Sequence, residues 1–274
     1  MSALALLVVV ALIGSCSGCT KPGRRKVARS YTSGPPPSYV VRHAGGAITI
    51  DGRDDEVDWR TAPSSPAFVD AQGSPETAGA ASARLLWDDQ YLYAFISVSD
   101  DDVYSEYVKD DDTLWKADAV ELFIDADGNR RGYVELQVNP HNARFDSWFA
   151  TTRSQPGDQT WSAGMSSAVT VRGTLSHGDR DEGWDVEIAI PLVAVKGRDT
   201  QMKAAIPPVV GTAWRLNVVR IDKPAESNRV TASSWSPITY RDFHALDRLF
   251  PATFGTVRGA IAPPAPTDGG DGRP

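Results

Sequence analysis

Trp115-Lys116-Ala117-Asp118-Ala119-Val120-Glu121-Leu122-Phe123-Ile124-Asp125 is the stretch whose reading decides the fold. An aromatic residue flanked by charges leads into a run where Val120, Leu122 and Ile124 share one face. Glu121, Phe123 and Asp125 share the other. Period-two alternation of this kind marks a β-strand with one side on a core. The next residues, Asp125-Ala126-Asp127-Gly128-Asn129, have the composition of a turn.

Working outward, Leu85-Leu86-Trp87-Asp88-Asp89-Gln90-Tyr91-Leu92-Tyr93-Ala94-Phe95-Ile96 reads as strand, tight turn, strand. In the second of these strands both faces are apolar, which predicts a central strand covered on each side. Alternation recurs in Tyr133 to Asn139, Trp184 to Ile190 and Trp214 to Val218. If the Val120 and Tyr133 strands pair, Glu121 and Gln137 lie on one polar face. Ala47 to Gly52 reads as an opening strand, Asp54 to Trp59 as one helical turn, and Leu192 to Lys196 as another. No stretch carries a sustained helical period. The expected fold is all-β: a jelly-roll-like antiparallel β-sandwich, formed as a single domain over residues 40–259. Its core is expected to hold Leu92, Ile96, Val120, Leu122, Val134, Leu136, Val186, Ile188, Leu216 and Val218.

The ends read differently. Ala3 to Ile13 is an unbroken apolar run, too short for a membrane span of about 20 residues but suited to a secretory signal. Both cysteines follow it, in Ile13-Gly14-Ser15-Cys16-Ser17-Gly18-Cys19, and small residues before a cysteine look like a bacterial lipobox. Residues 1–19 are therefore expected to be a signal peptide with acylation at Cys16 or Cys19. Neither Ser17 nor Thr20 supplies the aspartate that retains lipoproteins in an inner membrane. The expectation is an exported lipoprotein, periplasmic or anchored to the outer membrane, meeting membrane through its lipid only. Residues 20–39 read as a basic, Pro/Gly-rich tether and 260–274 as a disordered tail. A formal net charge of −7, with the basic residues clustered in the tether, argues against nucleic acid as a partner. The sequence has no phosphate-binding loop, paired-cysteine metal motif or His-Glu-x-x-His segment.

The strand after Trp115, the Trp87-Asp88-Asp89 turn, Trp184-Asp185-Val186-Glu187-Ile188 and Ser234-Trp235-Ser236-Pro237 occur here in one characteristic order. In that order and spacing the chain resembles the family 9 carbohydrate-binding modules, best known as appendages of xylanases. The resemblance runs from Asp51-Gly52 and Trp59 to Phe254-Gly255. It implies a sugar held between two aromatic residues, with charged and amide side chains on its hydroxyls. Trp115 matches the first tryptophan, Glu121 the strand glutamate and Asp100 an aspartate at the edge of the site. Gln137 sits where sugar-binding members carry an arginine. The region of the second tryptophan reads Ile238-Thr239-Tyr240-Arg241-Asp242-Phe243-His244, leaving Tyr240 or Phe243 to close the site.

Sugar chemistry supports the same residues independently. Pyranose rings present C–H patches that stack on aromatic faces, and their hydroxyls need convergent donors and acceptors. Trp59, Trp87, Trp184, Trp214 and Trp235 have apolar alternating neighbours and are expected in the core. Trp148 and Trp161 are secondary platforms. The expected partner is a polysaccharide or oligosaccharide, bound without catalysis and without a cofactor. The acidic runs Asp100-Asp101-Asp102, Asp110-Asp111-Asp112 and Asp125 to Asn129 offer oxygens of the kind calcium takes. The family's sugar-binding members hold that ion, so a structural calcium is the one metal to test. Two rival classes differ in kind. A glycoside-hydrolase role in carbohydrate catabolism would need a carboxylate pair such as Glu121 with Glu135 or Asp118. A haem-binding electron-transfer sandwich would need axial ligands from His141, His177, His244, Met165 and Met202.

Overall fold

The computed structural model describes residues 35–70, 81–152, 157–224, 229–238 and 242–257. They belong to one compact unit. The strands are β1 (Tyr39–His43), β2 (Val69–Asp70), β3 (Ala81–Trp87), β4 (Tyr91–Ser99), β5 (Ala119–Asp125) and β6 (Arg131–Val138). They continue as β7 (Arg144–Thr151), β8 (Ser166–Arg172), β9 (Gly183–Pro191), β10 (Ala213–Asp222), β11 (Thr231–Ser234) and β12 (Phe250–Phe254). The pairing order is β7-β6-β5-β10-β12-β1-β3-β4-β9-β8, with β11 on β10 and β2 on β11.

The two ends of this order fold onto one another. Leu92 and Ile96 of β4 and Val186 and Ile188 of β9 pack in one cluster with Val120, Leu122, Val134, Leu136, Leu216 and Val218 from β5, β6 and β10. The expected core is therefore the observed one, and the two halves are the layers of a sandwich. Each of these side chains is at most 1% exposed. Burying a residue of this size contributes about 1.5–3 kcal/mol, so the alternation along five strands supplies most of the drive for closure.

Strand β4 is covered on both faces, as its apolar sequence predicts. Tyr93 and Phe95 point away from the main core into a second cluster with Trp59, Leu86 and Ala189. Trp59 arrives on helix α1 (Val57–Thr61), a little later in the chain than the expected turn. It is fully buried, and its Nε1 donates to Glu187 Oε1 at 2.8 Å. The tight turn before β4 is held by Asp88, whose Oδ1 accepts the amides of Gln90 and Tyr91, each at 2.7 Å.

Two features depart from expectation. Ala47 to Gly52 is not a strand. Ile48 and Ile50 lie half-buried on the Trp59 cluster, and the amides of Asp51 and Gly52 are taken by Glu187 Oε2 at 3.0 and 3.1 Å instead of by a neighbouring strand. The first strand is β1, beginning at Tyr39, and it runs parallel to both its neighbours. Tyr39 to Val41 pair with β12, and Arg42 and His43 pair with β3. A strand that changes partners midway joins the two layers at one edge, and every other pairing among the described strands is antiparallel.

Candidate carbohydrate-binding site

The site is built on the outward face of β5, β6, β7 and β10. Glu121 is directly opposite Gln137 on β6 and Val219 on β10, while Phe123 is opposite Glu135 and Asn217. On β7, Phe145 pairs with Gln137, Ser147 with Glu135 and Phe149 with Tyr133. Because successive side chains alternate, Glu121, Gln137, Glu135, Tyr133, Phe145, Ser147 and Phe149 all leave the sheet on one side. That side is opposite to the main core.

This floor is polar at its centre and aromatic at its margins. Glu121 is 2% exposed and Gln137 fully buried. Gln137 Nε2 donates to Glu135 Oε1 at 2.6 Å. Its Oε1 and the hydroxyl of Ser147 have no hydrogen-bond partner among the described residues. His244 lies above: its Nδ1 and the Tyr133 hydroxyl are hydrogen-bonded at 2.7 Å, and its Nε2 is 3.5 Å from Glu135 Oε2. The imidazole also meets Phe123 and Phe149 edge-on, at 5.0 and 4.8 Å between centroids. Phe243, half-buried, packs on the same cluster with Ile238, Leu246 and Leu249.

Trp115 stands at one end of the floor, in the short 3-10 turn Leu114–Lys116 that delivers the chain into β5. It is half-buried and touches Phe145 edge-on at 5.2 Å. The clusters on either side of it contain Leu114, Ala119 and Phe145 in one and Phe123, Val219 and Ile221 in the other. One part of the indole is thus packed and the rest borders an open groove with Tyr107 and Lys116. The structure brings Trp115, Glu121, Gln137 and Phe243 to one face. Tyr240 falls outside the described residues, as do Cys16 and Cys19.

Asp100 is not on that face. Its Oδ2 accepts from Arg220 Nη2 at 2.9 Å, and Arg220 shares the core-facing side of β10 with Leu216 and Val218. The carboxylate lies at the end of the sandwich between the layers, on the far side of the sheet from Glu121. An arginine hidden in a strand of otherwise apolar alternation redirects it, and nothing around Asp100 in the sequence reveals that partner. Asp118 and Asp222 join the cluster, with one carboxylate oxygen from each of the three within 4.8 Å of the others. Burial and the neighbouring Asp100 charge push Asp118 up to about 8, and burial raises Asp100 as well.

These carboxylates do not fit a calcium ion. Asp118 spends both oxygens on the amides of Tyr104 and Lys223, each at 2.8 Å. Arg220 already supplies the positive charge, reaching Asp222 Oδ1 at 3.1 Å as well as Asp100. Asp110 pairs with Arg144, Asp125 accepts the amides of Gly128 and Arg130, and Asp127 those of Lys203 and Ala204. Calcium needs six to eight oxygens turned toward one point, whereas each of these acids is turned toward backbone or arginine.

The remaining expectations sort by strand face. Trp59, Trp87, Trp184, Trp214 and Trp235 are all buried. Trp148 points to the core side of β7, and a Cβ on Gly197 would overlap its indole. Trp161 is likewise packed on the main core. Neither joins the site. The haem ligand candidates are dispersed: His141 bonds Ser105 O, His177 bonds Asp102, His244 bonds Tyr133, and Met165 lies in the inter-layer core. Of the carboxylate pairs, Asp118 is on the wrong face, while Glu135 shares the floor with Glu121. Sequence reasoning missed Phe145, Ser147 and His244 as parts of the site. The first two follow from a strand whose alternation places large side chains on both faces.

A likeness to known proteins accompanies this geometry. Over 214 residues the chain is 29% identical to endo-1,4-beta-xylanase A of Thermotoga maritima, covering 78% of this chain and 17% of that enzyme. It therefore spans about a sixth of the length of that relative. Among solved structures it superposes on a family 9 carbohydrate-binding module from Caldicellulosiruptor kristjanssonii in complex with cellotriose, with a TM-score of 0.54 and 20% identity over 83% of this chain and 98% of that one. It also superposes on a putative carbohydrate-binding protein from Bacteroides uniformis, with a TM-score of 0.61 and 17% identity over 79% of this chain and 98% of that one. At these identities the structures report the shared sandwich. The sequence profile described as carbohydrate family 9 binding domain-like matches residues 50–258, the sandwich nearly end to end, and the chain belongs to that family.

Proposed function

We propose that this domain binds carbohydrate without cleaving it, with a sugar ring on the indole of Trp115 and its hydroxyls met by Glu121 and Gln137. The observation that carries the assignment of residues is the orphaned Oε1 of the fully buried Gln137. A buried polar atom without a partner costs about 1–3 kcal/mol, and a ligand hydroxyl on this face would recover it. Glu121 and Glu135 beside it supply acceptors, and Phe243 closes the side opposite Trp115. Tyr240 belongs to the same proposal through its place in the sequence alone.

Glu121 and Gln137 are shielded from water, so a sugar reaches them as the turn carrying Phe243 and His244 yields. Binding rather than hydrolysis suits the chemistry of the floor. Glu135 is engaged by Gln137 and lies beside His244, and a glycosidase needs one carboxyl to protonate a leaving oxygen and another to attack or activate water. The ligand class follows the relatives: β-1,4-linked glucose or xylose oligomers are the first to test. We further propose that the domain acts outside the inner membrane, carried by a lipid on Cys16 or Cys19 and the tether that follows. No helix among the described residues is long and apolar enough to cross a membrane.

The deciding experiment is isothermal titration of the purified protein with cello- and xylo-oligosaccharides, guided by a glycan array. Saturable binding to one of these, weakened by Trp115→Ala, is the expected result. Absence of binding to every glycan on the array would overturn the reading.

A further inference from the structure

Behind Trp115 lies a groove of about 640 Å³ that the sugar floor does not use. It is lined by Trp115 itself with Glu106, Tyr107, Lys116, Lys223 and Arg229. Three of these are cationic and one is a carboxylate, in a chain whose formal net charge is −7. Glu106 is held by Lys223, Nζ to Oε1 at 2.9 Å. Lys116 is exposed, and its ammonium has no hydrogen bond or ion pair among the described residues. A concave surface with an excess of one charge concentrates ligands of the opposite sign, most strongly where the rest of the surface repels them.

The groove and the floor share Trp115. Lys116 directly follows the indole residue and Lys223 directly follows β10, and both line the groove, with the Lys223 ammonium held by Glu106. A ligand that lays a sugar ring on Trp115 therefore meets positive charge at a neighbouring unit. Tyr107 adds an aromatic wall. Sugar rings with apolar faces and a carboxylate match both properties; neutral hexoses match only the first.

We infer that the groove takes a uronate, so that the preferred ligand is an acidic oligosaccharide with a carboxylated unit next to the ring held by Trp115. This rests on the reading of Trp115 as the sugar platform. The carboxylate pairs with Lys116 at the mouth of the groove and shares the field of Lys223 and Arg229.

The experiment compares a xylo-oligosaccharide bearing one glucuronic acid branch with the same compound after carboxyl reduction, titrated calorimetrically into the full-length protein. At low salt the acid should bind about fivefold more tightly than its reduced counterpart, the scale of exposed charge pairs. In 0.5 M sodium chloride, or in Lys116→Gln, that ratio should fall toward one. Lys116 is exposed and packs nothing, so the variant keeps its fold, checked by its melting temperature. Equal affinity of the two compounds at low salt would overturn the inference while leaving the platform reading intact. A ratio that survives Lys116→Gln and high salt would overturn the assignment to this groove. Loss of both compounds' binding in unaltered protein would overturn both readings together.

Discussion

Glu121 and Gln137 sit directly opposite each other across β5 and β6, both buried on the same face, yet the carboxamide of Gln137 is spent on Glu135 two residues before it. The amide nitrogen is thereby fixed, and with it the direction of the oxygen. Fixing the nitrogen on a carboxylate settles which end of the amide is left for a ligand: the acceptor. A sugar hydroxyl that donates to Gln137 and accepts elsewhere is the complementary group.

Gln137→Leu tests this. The replacement keeps roughly the same volume and removes an acceptor that has no partner among the described residues, but it also takes the Nε2 donor from Glu135, so a stability loss of about 1.5–3 kcal/mol is expected. Affinity for the bound oligosaccharide should drop about tenfold or more. Thermal unfolding and titration of the one variant measure both, and an unchanged affinity would exclude contact with Gln137.

Trp115→Ala separates platform from packing. Removing an aromatic anchor should cost 2 kcal/mol or more of binding, roughly a thirtyfold loss. Because the indole is half-buried against Phe145, a moderate fall in melting temperature accompanies it. Trp115→Phe should restore most of the stability and only part of the affinity. A folded Trp115→Ala protein that binds sugar normally would end the platform assignment.

Arg220→Met concerns the other face of the sheet. It leaves Asp100 and Asp222 without their shared cation between the layers. Breaking a buried pair from one side costs about 3–5 kcal/mol, so a large loss of stability is expected in urea unfolding. Sugar affinity of the folded fraction should stay within twofold, because this cluster faces away from Glu121. A selective loss of affinity would return Asp100 to the binding site.

The same cluster sets a pH dependence. Asp118 is pushed up to about 8 by burial and by Asp100, against about 3.9 in an unfolded chain. The folded state therefore holds a proton that the unfolded state releases between those values. Its stabilising contribution is complete below pH 4 and is lost as pH rises through 8. Glu187, raised to about 6 by burial, adds a loss of the same sign between its unfolded value of about 4.3 and pH 6. Melting temperature should thus decline from pH 5 to pH 9, by roughly 2–4 °C per kcal/mol for a domain of this size. Asp118→Asn should lower stability at pH 5, since only one of its two atoms can still accept an amide, but should flatten the decline. A profile that rises toward pH 9 would contradict the buried-acid account.

What could be read in advance divides by face. Positions such as Leu122, Leu136 and Val218 were legible because alternation alone tells which side meets the core. The pairing of Glu121 with Gln137 followed from the same parity once β5 and β6 were taken as neighbours. Asp100 was not legible, since its orientation depends on Arg220, more than a hundred residues away in sequence. Strand β7 was obscured because Phe145 and Phe149 lie on one side and Trp148 on the other, leaving no apolar face to recognise. His244 showed only a lone histidine in a polar loop. Its role as a cap over Tyr133 and Phe149 is created by the turn that carries it. The strand at Tyr39 lay where composition shifts from a Pro-rich stretch, and its parallel partners are far away in the chain.

That first strand has a mechanical consequence. Its bonds to β12 and to β3 run across its axis and flank the two halves of its length. A pull applied at Tyr39 along the axis of β1 stretches the cross-bonds of both layers together instead of peeling them singly. Rupture at this seam would have to begin with the simultaneous slip of β1 past two neighbours, so a load applied at Tyr39 along the strand would be shared by both layers. The floor, on β10, β5, β6 and β7, begins two places from β1 in the pairing order and shares no strand pairing with it.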